Sequence, residues 1–230
     1  MLQTAPVGKT ISIMQPYFIP YAGYFRLLVG ADVFVIYDCV QFQRRGWTHR
    51  NVLRTANGTT EWLTLPLEKA PQDVLIRDLR FRSGARKDIE AQIPRFPALS
   101  ASSPRTASLV DAIRDPSGRP VDYIIDLLRL TTEIMGLPWR VVRSSELGLP
   151  SDLRGQDRIL AIVKACAGSR YINPPGGRKL YHHADFAEAG IELYFLKDHM
   201  GSYDSIVQRL SAEDPIAVAK EIRANTIWAA

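Results

Sequence analysis

The sequence predicts an α/β protein: a mainly parallel sheet flanked by helices, with a β-hairpin insertion and a helical C-terminal part. Three observations lead there. Residues 10–14 and 33–37 are short apolar runs, the second rich in β-branched side chains, and an amphipathic stretch ending at Gly30 separates them. Such runs suit strands covered on both faces, and a strand–helix–strand unit makes a parallel pair. Two more apolar runs, 139–142 and 191–196, each follow a helical pattern that stops at a glycine, Gly136 or Gly190. Asn57-Gly58, set between two strand-like segments, is the strongest short hairpin signal.

The elements follow in order. After the strand at 10–14, Gln15-Pro16-Tyr17-Phe18-Ile19-Pro20 is rigid, because two prolines fix φ and bias their predecessors to extended backbone. A short helix over 24–29 leads to the strand at 33–37. Residues 52–54 and 61–67 form the hairpin, with Trp62 read as a core residue. Residues 74–81 alternate partially and read as another strand; 86–93 read as a short helix. The Pro- and Ser-rich segment 94–104 is the clearest break, a flap or linker inside a single domain spanning 1–230. Residues 121–135 make the most regular helical pattern. Beyond the strand at 139–142 come a helix at 157–166, a strand at 169–173, a short helix at 181–186 and the strand at 191–196. One or two helices over 205–228 join near Asp214-Pro215. The first strand–helix–strand unit gives the sheet a Rossmann-like start.

Ligands in open α/β sheets sit beyond the carboxyl ends of the strands. Polar side chains crowd that place: Gln15 after the first strand, then Asp38, Cys39, Gln41, Arg45, Trp47, His49, Arg50 and Asn51 after the second. Ser144, Ser145 and Glu146 repeat the pattern after the strand at 139–142, although Ser144 or Ser145 serves equally as a helix cap. Asp38 or His49 is the candidate base, and Cys39 a candidate nucleophile or a plain buried thiol. Gln15, Tyr17, Tyr24, Gln41, Arg45, Trp47, Arg50, Asn51, Ser144, Ser145 and Glu146 are the candidate substrate contacts. Adjacent His182 and His183 lack a third ligand at metal spacing, so no metal site is expected.

Composition narrows the partners. The net charge of +5 arises from 29 basic and 24 acidic residues, with arginines scattered rather than striped. That suits an anionic small molecule better than nucleic acid. No apolar run approaches the roughly 20 residues of a membrane span. The first ten residues show no secretory leader, and two isolated cysteines suggest a reduced, cytoplasmic setting.

The segments MQPYFIPYAGYF and ADVFVIYDCVQFQRRGWTHRN also carry a family likeness. Through Gln15, Pro16, Pro20, Gly23, Tyr24, Phe25, Asp38, Gln41, Phe42, Arg45, Trp47, Arg50 and Asn51, the chain resembles the WbqC-like proteins of bacterial surface-polysaccharide and specialised-metabolite gene sets. Ser144-Ser145-Glu146-Leu147 continues the likeness more weakly. Cys39 replaces a usual Asp and His49 a frequent Asn, and the C-terminal segment also departs from the pattern, so substrate choice is expected to differ. The layout also looks like the start of nucleotidylyltransferase-like folds, without their phosphate-contacting histidines. The resemblance implies a transferase moving an acyl or aminoacyl group to an amine of an amino sugar or carrier-bound intermediate. ATP or a phosphopantetheine-carried donor, and an acyl or peptidyl carrier protein, are the cofactors and partners it suggests. A nucleotide-dependent activating enzyme and a non-catalytic binding or scaffold protein are the alternatives.

Overall fold

A computed structural model describes residues 8–100 and 104–229. The N-terminal stretch read for a leader lies largely outside the described residues, as do 101–103 of the 94–104 segment.

Six strands form one sheet: β1 (Lys9–Met14), β2 (Val33–Ile36), β5 (Val141–Arg143), β6 (Gly168–Asn173), β7 (Glu192–Leu196) and β8 (Trp228–Ala229). Their order is β5-β2-β1-β6-β7-β8. Every pairing is parallel except that of β7 with β8. From β1 the chain winds outward one way through β2 and β5, then the other way through β6 and β7. The order therefore reverses between β1 and β6.

Alternation along the strands divides the core. Ile11, Ile13, Val35, Tyr171, Leu193 and Phe195 face α6 (Gly155–Ala165) and α7 (His183–Glu188). Phe34, Ile36, Ile172 and Leu196 face the larger layer, which includes α1 (Ala22–Gly30), α5 (Pro120–Ile134), α8 (Ile206–Ala212) and α9 (Pro215–Ala224). Buried Ser12 is no defect, since its Oγ donates to the Leu27 carbonyl at 2.9 Å and ties α1 to β1. The α8–α9 junction is the expected one: Asp214 caps α9 by accepting from the Ala217 N–H, and Pro215 occupies the first turn.

The hairpin forms as predicted, β3 (Arg50–Arg54) against β4 (Thr60–Thr64), in a separate two-stranded sheet. Gly58 takes φ +83 in its turn. Leu53 and Leu63 point into the core, whereas Trp62 is 40% exposed and lies under the Arg50 guanidinium at 4.1 Å. Trp62 is thus a surface platform and not the core residue expected.

The segment at 74–81 is also corrected. It contains a single 3₁₀ turn, Ile76–Asp78, touched by the isolated bridges Gln41↔Leu75 and Leu67↔Phe81. Ile76 and Leu79 are its buried apolar residues, and their three-residue spacing fits a turn better than a strand. Over 94–104, Phe96 and Leu99 are fully buried around α3 (Pro97–Ser100). In the chain α2 (Ala85–Gln92) precedes α3, and α4 (Ala107–Arg114) follows it before α5. No helix among the described residues is long and apolar enough to cross a membrane.

Candidate functional site

The reversal between β1 and β6 opens a cleft beyond their carboxyl ends, where open α/β sheets bind ligands. Met14, Pro174 and Leu196 form the floor of its inner lobe, a cavity of about 240 Å³. Tyr17, Tyr21 and Tyr203 line both this lobe and an outer one of about 470 Å³, which Trp47 and Asn51 complete.

Local backbone holds the cleft in shape. Ile19 adopts φ +41, a strained conformation for a β-branched residue. Its carbonyl accepts from Asn51 Nδ2 at 2.6 Å and from Ser205 Oγ at 2.6 Å. Asn51 Nδ2 also donates to the Phe18 carbonyl, and the Ile206 N–H donates to Pro20. The rigid loop read from two prolines is therefore pinned from the hairpin on one side and from α8 on the other. Gly23 lets the Tyr21 ring lie across the start of α1, because a Cβ there would stand 2.2 Å from that ring.

Arg26 is the group in the inner lobe that most needs a partner. It is 3% exposed, its Nη2 donates to the Lys197 carbonyl at 2.9 Å, and its Nε is buried without a partner. Among the described residues no carboxylate lies within 4.0 Å of it, although Asp198 lines the same lobe. Burial lowers its pKa, yet a guanidinium stays charged at neutral pH. The N-terminus of nine-residue α1, beside it, has no side-chain cap and no acid in its first turn. A buried cation and a helix N-terminus without a side-chain cap both favour an anion.

His199 lines the lobe too. Its Nε2 lies 3.1 Å from the Ser202 carbonyl, which can only accept, so the proton belongs on Nε2. That leaves Nδ1 as a buried, unpartnered lone pair. Burial raises the pKa values of Tyr17, Tyr21 and Tyr24, which are hydrogen-bond donors at neutral pH. Tyr24 donates to the Gln15 carbonyl at 3.0 Å.

The residues singled out from sequence do not share one hollow. Tyr17, Trp47 and Asn51 meet in the outer lobe, and Tyr24 lies in the inner one. Gln15 lines neither. Asp38 is fully buried between β2 and β5: Arg143 holds it at 2.9 Å, and both Ser144 Oγ and Ser145 Oγ donate to it, as does the Ser145 N–H. Glu146 stays at the surface, 3.9 Å from Arg143. Cys39 borders another cavity of about 290 Å³ with Gln41, where Arg158 Nε donates to its Sγ at 3.1 Å and Ser144 Oγ lies 2.9 Å away. His49 faces a third hollow with Phe42, and burial, then Arg50, pushes its pKa down to about 4. It is neutral at pH 7. Arg45 borders a shallow surface recess and Arg50 covers Trp62.

Sequence reasoning singled out neither Arg26 nor His199. Arg26 sits inside an apolar helix pattern, where its burial is invisible without the fold. Among the described residues no three His, Cys, Asp or Glu side chains cluster to hold a metal.

The profile of the WbqC-like protein family matches residues 15–217. The chain belongs to that family. The match begins at Gln15, so the cleft's pinned loop lies wholly within it, and it runs through Tyr203 and Ser205 on the opposite wall. A relative in Mycobacterium tuberculosis (strain ATCC 25618 / H37Rv), named Uncharacterized protein Rv1507c, is 40% identical over 60 residues, 26% of each chain. The matched part thus spans about a quarter of that relative. No solved structure matches this WbqC-like chain.

Proposed function

We propose that this WbqC-like protein is a transferase of glycan or specialised-metabolite assembly that grips an anionic group of its substrate at Arg26. The single observation that carries this reading is a buried guanidinium with an orphaned Nε and no acid within ion-pairing distance, facing a cavity at the strand-order reversal. An unneutralised buried charge costs several kcal/mol, and a phosphate or carboxylate in bidentate contact offsets that cost.

Counted in chain order, the six strands run 3-2-1-4-5-6, the order of dinucleotide-binding sheets, which supports the Rossmann-like reading. Transfer of an acyl or aminoacyl group to an amine needs a base for the attacking nitrogen. In the cleft, His199 Nδ1 fills that role better than Asp38, whose oxygens are committed to four neighbouring groups. Arg26, the first turn of α1 and the tyrosine hydroxyls then orient the substrate.

Thermal-shift measurements with phosphate, pyrophosphate, nucleoside phosphates and short carboxylates test the anion site. At least one of them should stabilise the wild-type chain and not Arg26→Gln. Equal responses of the two proteins would remove the basis for the reading.

A further inference from the structure

The outer lobe carries chemistry that an anion clamp does not need. Trp47 is 45% exposed and Tyr203 68% exposed, unusual for side chains of their size. Both line the outer lobe together with Tyr17, Phe18, Pro20 and Tyr21. Tyr203 stacks on Tyr21 with ring centres 5.1 Å apart and planes 25° from parallel. Trp47 leans on Trp62 at 5.4 Å, and the Arg50 guanidinium lies over the Trp62 ring. Rings held by other rings lose little freedom when a planar ligand stacks on them. Asn51, the polar residue of this wall, spends both donors and its acceptor on backbone. The wall therefore presents mainly ring faces, with hydrogen-bond donors confined to the tyrosine O–H and indole N–H groups at the ring edges.

We infer that the two lobes form one binding site for a nucleoside diphosphate, free or carrying a sugar, with its phosphates at Arg26 and its ring on the Trp47–Tyr203 wall. This inference rests on the anion site proposed above. Tyr17, Tyr21 and Tyr203 belong to both lobes, so one elongated ligand can occupy them together. The inner lobe, at about 240 Å³, accommodates a small charged group, and the larger outer lobe accommodates a ring system. A phosphopantetheine arm satisfies Arg26 but has no ring to place on the wall.

Calorimetric titration of the full chain with pyrophosphate, 4′-phosphopantetheine, the four ribonucleoside diphosphates and UDP-N-acetylglucosamine decides the matter. At least one nucleotide should bind roughly ten- to a hundredfold more tightly than pyrophosphate, the range that stacking of one base contributes. Trp47→Ala should bring that nucleotide close to the pyrophosphate level and leave pyrophosphate affinity unchanged. Trp47 is partly exposed and its backbone carbonyl, the acceptor for the Phe18 N–H, survives the substitution, so the variant folds. Pyrophosphate and nucleotides of equal affinity, phosphopantetheine tighter than any nucleotide, or a Trp47→Ala protein indistinguishable from wild type would each overturn the ring assignment while leaving the anion site standing. Absence of binding by every ligand in the series would remove the anion site, and the inference with it.

Discussion

Asn51 Nδ2 and the Ile19 carbonyl oxygen lie 2.6 Å apart, a bond across 32 residues that joins the hairpin to the cleft's strained loop. Ile19 at φ +41 carries strain on the order of 1–3 kcal/mol, which persists only where the surroundings over-determine it. Asn51 and Ser205 supply that determination from opposite sides.

Replacing Asn51 measures the clamp. Asn51→Ala removes two donors from buried carbonyls and should cost about 1–3 kcal/mol in urea unfolding. The near-isosteric Asn51→Asp should cost more, because a carboxylate oxygen then faces the Phe18 and Ile19 carbonyls. An Asp variant as stable as wild type would show that the clamp is not made in solution.

Asp38 behaves as a tie between strands. Its carboxylate is fully buried and joins the end of β2 to Arg143, Ser144 and Ser145 at the end of β5. Asp38→Asn introduces an amide donor among donors and should destabilise the fold by about 3 kcal/mol or more. Chemical denaturation reads this directly; a stable but inactive variant would instead give Asp38 a role in chemistry.

His49 makes stability depend on pH. Burial lowers its pKa from the ordinary 6.5 to about 4, so the folded protein binds fewer protons there than the unfolded chain. Its contribution is fully present above about pH 6.5 and is lost progressively as pH falls towards about 4, up to roughly 3 kcal/mol. His49→Phe should flatten stability against pH across that window. An unchanged profile would mean that the imidazole is not buried neutral.

The two thiols should separate by reactivity. Burial raises the pKa of Cys166, whereas Cys39 borders a cavity. Iodoacetamide at pH 8, followed by peptide mass spectrometry, should label Cys39 first. Faster labelling of Cys166 would place Cys39 in a sealed environment.

Much of the sheet was legible from the chain. Residues 10–14 and 33–37 announced β1 and β2 because strands buried on both faces are mostly apolar and free of charge, and Asn57-Gly58 announced the hairpin turn. The turn at Ile76–Asp78 was not, since a short run with partial alternation satisfies strand and 3₁₀ periods alike. Two-residue β8 carries too little pattern to read. Of the residues singled out from sequence, Tyr17, Tyr24, Trp47 and Asn51 line the cleft. Asp38, Cys39 and His49 were grouped with them because neighbours in a loop look like neighbours in space. Adjacent residues at the end of a strand point to different sides, and these three face a strand junction and two other hollows. Arg26 went unmarked because local sequence does not reveal the lack of an acidic partner. Arg209 illustrates this: it is 6% exposed, yet held by Glu213 and Glu221 at 2.5 and 2.7 Å.

That contrast between two enclosed arginines supplies the most direct measurement, urea unfolding and pyrophosphate titration of Arg26→Met beside wild type. Methionine restores apolar volume, removes a charge whose burial costs several kcal/mol, and forfeits one hydrogen bond worth about 1 kcal/mol. The variant should be at least as stable as wild type and should lose pyrophosphate binding tenfold or more. A destabilised Arg26→Met protein that still binds pyrophosphate as wild type does would make Arg26 a structural group and leave the cleft without its anion site.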